Sequence, residues 1–350
     1  MHFQRVILEN LGPFRGVQEA DFSLSRGKNV NVVCGGRGSG VTSLHRAIEW
    51  ALTGVILDSV TNYFRHNMVH DTAIRDGADE LSGANASVTL RFNLLNKDYE
   101  VSRRLVSVSG PLAQDDVTLS VRSDVLGHWS QIDNPQEHLR TLIPLKLFSI
   151  IFPNGEYLSD SYPMSFNSFP GFEVFREWVG DRIVGGQVPD LGTSQTIWYK
   201  LLYSMLGLAP KLIPPYLKSD QLQLAGLQLM SLYREWLCVA ESLPSDISHL
   251  RGHYLPWVLD NPWHAMDLFA TDQATRLTIE TSAQVIIVAN PRHLQGAAAS
   301  FLEPRLTQLH VIRTGEKYFT RNTVKILGRD LFLSRFDGKS YSDLIAAPNR

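Results

Sequence analysis

The sequence predicts an α/β fold, with an antiparallel β subdomain in the N-terminal half and a mixed, mainly parallel core sheet. Three observations predict it. The apolar run Val30-Asn31-Val32-Val33-Cys34 breaks into Gly35, Gly36, Gly38 and Gly40, then resumes as a helix with Leu44, Ile48 and Leu52 on one face. Residues 86–94, 99–108, 117–122 and 127–132 alternate between apolar and polar with short breaks, the pattern of an antiparallel sheet. Finally, residues 254–260, a helix-compatible stretch and residues 283–290 give the order strand, helix, strand, which implies parallel pairing through a right-handed crossover.

The elements follow in order. Residues 3–9 and 17–24 alternate as strands around a turn-rich Asn10-Leu11-Gly12-Pro13-Phe14-Arg15-Gly16, and residues 28–34 feed the glycine loop. Residues 58–85 are polar and irregular, the character of a surface excursion. A short helix is expected from Pro135, then a strand over 145–152. The stretch 157–215 is rich in Pro, Gly, Ser and aromatics, with helix-like patches at 172–183 and 196–206, and sustains no heptads, so no long coiled coil is expected. A long helix is expected over 221–243, and short strands over 307–312, 318–326 and 330–333. The organisation this gives is an N-terminal lobe over 1–150, an insertion over 151–215 and a C-terminal lobe over 216–350.

Composition bounds the function. A net charge of −2 and a pI near 6.6 rule out a whole-chain basic field for nucleic acid. Local patches remain, at Arg103, Arg104 and Arg122 and at Arg305, Arg313, Lys317 and Arg321, which read first as solvated strand faces. Two cysteines, Cys34 and Cys238, supply neither a disulfide framework nor a metal site, and the eleven histidines lack ligand spacing. The N-terminus lacks signal-peptide character, and the longest apolar segment carries Gln223, Gln228, Arg234 and Glu235. A cytoplasmic protein with no membrane association is therefore expected.

The chemistry begins at the glycine loop. From Gly35 through Gly40 to Thr42 the spacing is that of a P-loop, in which backbone N–H groups and a helix N-terminus cradle phosphate. One position departs: Val41 stands where the motif has Lys. Valine offers neither charge nor hydrogen bond, and the lost charge-assisted bond is worth about 1.5–3 kcal/mol. A second element is Asp260, an acid at the end of an apolar strand, placed as the residue that holds Mg²⁺ beside such a loop. Read alone, Leu259-Asp260-Asn261-Pro262 is first a strand running into a turn.

Together these stretches resemble the ATP-binding heads of the SMC-like branch of the ABC ATPases, including RecF-type and DndD-type proteins. Residues 6–16 are similar to that branch's opening strand and N-F-G-P-F turn, and residues 47–54 to its first helix. Phe152-Pro153-Asn154-Gly155-Glu156 resembles the F-D-G-E segment of DndD-type heads, and residues 259–267 resemble the Walker B and D-loop run. Residues 284–288 resemble the strand leading to the switch histidine. The resemblance implies a P-loop NTPase fold of the ABC-head type, with ATP and Mg²⁺ as its cofactors. Nucleotide would lie against Gly35, Gly38, Gly40, Thr42 and Ser43, with Arg37 placed to replace some of the missing charge and Asp260 to hold the metal.

It also implies what has been lost. The P-loop Lys is Val41, the catalytic Glu falls on Asn261, and the switch His falls on Asn290. The signature L-S-x-G-[EQ] aligns with Leu217-Lys218-Ser219-Asp220-Gln221, where Asp220 would turn a negative charge toward phosphate. No catalytic residue is expected to survive, and a pseudo-ATPase follows. The function implied is a non-hydrolysing subunit of a DNA repair, chromosome-maintenance or mobile-element defence complex. Its partner would be an active ATPase or a DNA-processing subunit, docked on the surface bearing the glycine loop and Asp267, with a head-to-head dimer and contact with DNA through the complex also implied. The alternative is an unconventional ATPase that completes its active site with a partner.

Overall fold

A computed structural model describes residues 1–36, 39–54, 86–107, 114–122, 127–153, 169–184, 219–262, 266, 268–294, 297–319 and 327–336. Two sheets organise them. The first is antiparallel throughout: β1 (His2–Glu9), β2 (Val17–Asp21), β4 (Ser87–Leu94), β5 (Lys97–Ser107), β6 (Gln114–Arg122) and β7 (Trp129–Gln131) lie in the order β2-β1-β4-β5-β6-β7. Its strands alternate because one face is wet. In β4, Val88, Leu90, Phe92 and Leu94 are buried, while Ser87, Thr89, Arg91 and Asn93 face outward. Leu95 and Asn96 join β4 to β5 with positive φ at both residues, 55° and 59°, the geometry of a tight two-residue hairpin.

The second sheet holds β3 (Val30–Gly35), β8 (Trp257–Asp260), β9 (Val285–Ala289), β10 (Leu306–Phe319) and β11 (Leu327–Arg335) in the order β11-β10-β3-β9-β8. The pairs β10/β3, β3/β9 and β9/β8 are parallel and β10/β11 is antiparallel, as the expected mixed sheet requires. Every residue of β3 and β9 is buried, which is why these strands read as continuous apolar runs rather than alternating ones.

The helices are α1 (Val41–Thr53), α2 (Pro135–Leu142), α3 (Phe148–Ile151), α4 (Phe172–Val184), α5 (Ser219–Val239), α6 (Leu268–Glu280) and α7 (Ala297–Leu302). Helix α1 buries Leu44, Ile48 and Leu52, the face its spacing marked, and ends at Gly54 in the left-handed region. Buried Arg103 of β5 seals that end: its Nε donates to the Ala51 carbonyl at 2.8 Å, and its guanidinium also donates to Gln136, whose amide donates to the Thr53 carbonyl at 3.2 Å. A cation at a helix C-terminus meets the negative end of the dipole, so the antiparallel sheet and the loop-bearing helix are joined by a favourable contact.

Two expectations are corrected. Residues 145–152 are not a strand: a 3-10 turn over Leu145–Leu147 runs into α3, after Pro144. An apolar run this short carries no period that separates a buried strand from a buried helical turn. Where they are described, the strands expected over 307–312 and 318–326 form a single strand, β10, with a register shift against β11 between Thr314 and Lys317. The bulge breaks the alternation and makes one strand read as two. The patch at 196–206 and most of the stretch 151–215 lie outside the described residues.

Candidate functional site

The parallel pairings bring the two singled-out stretches to one edge. Val33 of β3 is in register with Val288 of β9, and Val288 with Asp260 of β8. With strands spaced about 4.8 Å apart, the end of β3 and Asp260 stand roughly 10 Å apart at the carboxyl ends of the sheet, where ligands of α/β folds bind. The glycine loop and Asp260 therefore lie at the same end of the sheet, two strands apart.

The loop is built by close approach. Ser39 N–H donates to the Gly36 carbonyl at 3.0 Å, and Gly40, at φ 75°, turns the chain into α1 as its N-cap with no side-chain cap. At Gly35 a Cβ would fall 2.0 Å from the Ser39 hydroxyl, so only glycine fits there. Ser39 is 3% exposed, and its hydroxyl has no hydrogen-bond partner among the described residues. Val41, the first residue of α1, is 8% exposed, and one of its methyl groups lies 3.0 Å from the same Cβ position. Hydrocarbon therefore turns back onto the loop where the motif carries an ammonium. Thr42 and Ser43 follow half-buried in the first turn, while Arg37 and Gly38 lie outside the described residues.

Opposite the loop, Asp260 is half-buried, and its Oδ1 accepts the Asn261 side-chain amide at 2.9 Å. Asn261 Oδ1 in turn accepts the Asn290 backbone N–H at 3.0 Å, so the positions aligned with the catalytic Glu and the switch His are bonded to each other. Of the aligned signature, Ser219, Asp220 and Gln221 fall in the first turn of α5, with their side chains outside the described residues; Leu217, Lys218, Asp267 and residues 154–156 lie outside them altogether.

One residue of the site escaped the sequence reading. His45 is buried between α1 and β8, its Nε2 3.2 Å from the Val258 carbonyl and its ring edge-on to Phe152 at 5.6 Å between centroids. Burial lowers its pKa, against a smaller pull upward from Asp260. The signal was the spacing Val41, His45, Ile48, Leu52, which puts the imidazole on the buried face.

The donor set decides what the site fits. An uncapped helix start, a left-handed glycine and the buried Ser39 hydroxyl fit an anion, and Thr42, Ser43 and Asp260 are the residue types that hold Mg²⁺. The charge of a triphosphate has no counterpart among the described loop residues, and the base position carries an amide that cannot take a proton. The described residues are of the types that fit a phosphate anion and Mg²⁺. Among the described residues no cluster of three metal-ligating side chains exists, and no helix is long and apolar enough to cross a membrane.

Comparison with known proteins agrees with this geometry. The AAA domain family matches residues 5–167. A segment of 101 residues, 29% of this chain, is 37% identical to a subunit of the nuclease SbcCD from Treponema pallidum, and spans 9% of that relative's length. The SMC head solved with the C-winged helix domain of ScpA superposes with a TM-score of 0.54 at 10% identity, over 96% of this chain and 98% of that one. The SMC head from Thermotoga maritima gives a TM-score of 0.49 at 15% identity, over 97% and 100%. In fold, the chain is similar to an SMC head.

Proposed function

We propose that the protein is a pseudo-ATPase, an ABC-type head kept for its shape, acting as an interaction subunit of a DNA repair, chromosome-maintenance or mobile-element defence complex. The observation that carries this reading is Val41: the loop keeps its glycines, its left-handed turn and its helix, yet buries a valine where a triphosphate needs a cation. Asn261 supports it, because its side chain is engaged with Asp260 and Asn290 rather than placed to activate water. A subunit role is supported by the relatives, one of which is a subunit of a nuclease and another an SMC head bound to a domain of ScpA. The partner of this chain is accordingly a protein, either an active ATPase or a DNA-processing subunit.

Retention of Asp260 beside Thr42 and Ser43 favours a second reading, in which a partner supplies the missing cation and the pair hydrolyses ATP. Calorimetric titration of the isolated chain with Mg²⁺ and ATP tests the loss of the loop cation that both readings share. Wild type binds weakly or not at all, and Val41→Lys gains about tenfold in affinity, the equivalent of roughly 1.4 kcal/mol for one restored charge-assisted bond. Tight binding by wild type, unimproved in Val41→Lys, contradicts the reading.

A further inference from the structure

Asn261 is committed three times over. Its Nδ2 donates to Asp260 Oδ1 at 2.9 Å, its Oδ1 accepts from Asn290 N–H at 3.0 Å, and its own N–H donates to the Val288 carbonyl at 2.8 Å. It sits at φ 40°, in the left-handed region that asparagine tolerates better than most residues. A carboxamide is the group that satisfies both side-chain contacts, because it offers a donor toward a carboxylate and an acceptor toward an N–H at once. An ionised glutamate has acceptors only, and would set a second negative charge beside Asp260.

We propose that Asn261 is a clasp: a positioning residue that ties the carboxyl-terminal tips of β8 and β9 together and orients Asp260, so that these tips are set without a nucleotide. The inference rests on the pseudo-ATPase reading and deepens it. Glutamate to asparagine is then more than the loss of a base, since the same replacement supplies a contact from Asp260 to Asn290 between the paired ends of β8 and β9.

Backbone amide exchange, read residue by residue on the full chain, tests this. Asn261→Gly accepts φ 40° without strain and removes only the side chain, so Asn290 N–H should exchange about tenfold faster, the effect of one lost hydrogen bond of roughly 1.4 kcal/mol. Asn261→Asp keeps the acceptor and should restore most of that protection, a rescue that general loosening of the fold does not give. Millimolar Mg²⁺ and ATP should leave exchange at 258–261 and 288–290 of wild type unchanged. Equal Asn290 exchange in wild type and Asn261→Gly overturns the clasp, as does marked slowing at those tips when Mg²⁺ and ATP are added. Phosphate release by wild type would instead overturn the pseudo-ATPase reading and leave the Asn290 result standing, so the two fail separately.

Discussion

At the scale of single residues, the buried histidines set a pH dependence. His310 is buried with Nε2 2.8 Å from the Asp21 carbonyl, and His45 is buried against the Val258 carbonyl. Burial lowers the pKa of both, so below the ordinary imidazole range the unfolded chain binds protons that the folded chain refuses. Their stabilising effect is therefore complete above the unfolded pKa of about 6.5 and declines as pH falls through it. Thermal unfolding should show a lower midpoint at pH 5.5 than at pH 7.5, and His310→Gln should flatten that difference while costing some stability at neutral pH. An equal slope in wild type and His310→Gln contradicts the assignment. Helical spacing put His45 on the buried face of α1, but nothing in the sequence marked His310 or the partners of either ring. What buries them is packing between distant elements, and spacing along one element reports only which face a residue is on.

At the scale of elements, a buried amide joins the two sheets. Gln284, fully buried just before β9, accepts from Phe3 N–H at 2.6 Å and donates to the carbonyls of Phe3 and Phe22, each at 2.8 Å. Asn31 of β3 adds a donor to the Phe22 carbonyl at 3.3 Å, and Leu333 N–H of β11 donates to Gln18 of β2 at 2.9 Å. Replacing Gln284 by Leu keeps most of the volume but takes the amide from the Phe3 N–H and carbonyl and leaves the Phe22 carbonyl with Asn31 alone, and a buried group left unpaired costs about 1–3 kcal/mol. A loss of roughly 3 kcal/mol in urea unfolding is expected after partial relaxation. A loss below about 1 kcal/mol would show that the sheets are held by apolar packing alone. The elements themselves were largely legible: alternation marked the antiparallel strands, and continuous apolar runs marked β3 and β9. Where reading failed, at 145–152 and within β10, the cause was a run too short to carry a period and a bulge that interrupts one. The contacts that bond element to element, such as those of Gln284 and Arg103, link residues far apart in the chain and left no local trace.

At the scale of the molecule, the strand order is the decisive fact. Strand β3, which ends in the glycine loop, is paired on one side with β10 and on the other with β9, so the N-terminal stretch carrying the loop is completed by strands from the C-terminal region of the chain. That order sets Gly35 and Asp260 at one edge with β9 between them, and it was legible because glycines, apolar runs and a strand-ending acid survive in sequence. The contact between the tips of β8 and β9 was not legible, since the bond from Asn261 to Asn290 N–H depends on two strand ends meeting. On the pseudo-ATPase reading proposed above, the whole molecule is an SMC-head-like architecture in which Val41 stands at the loop and Asn261 joins the tips of β8 and β9. Phosphate release from the purified chain with Mg²⁺ and ATP, compared with Asp260→Ala, tests this most directly. Release at background level is predicted in both proteins; release above background in wild type that disappears in Asp260→Ala would contradict it.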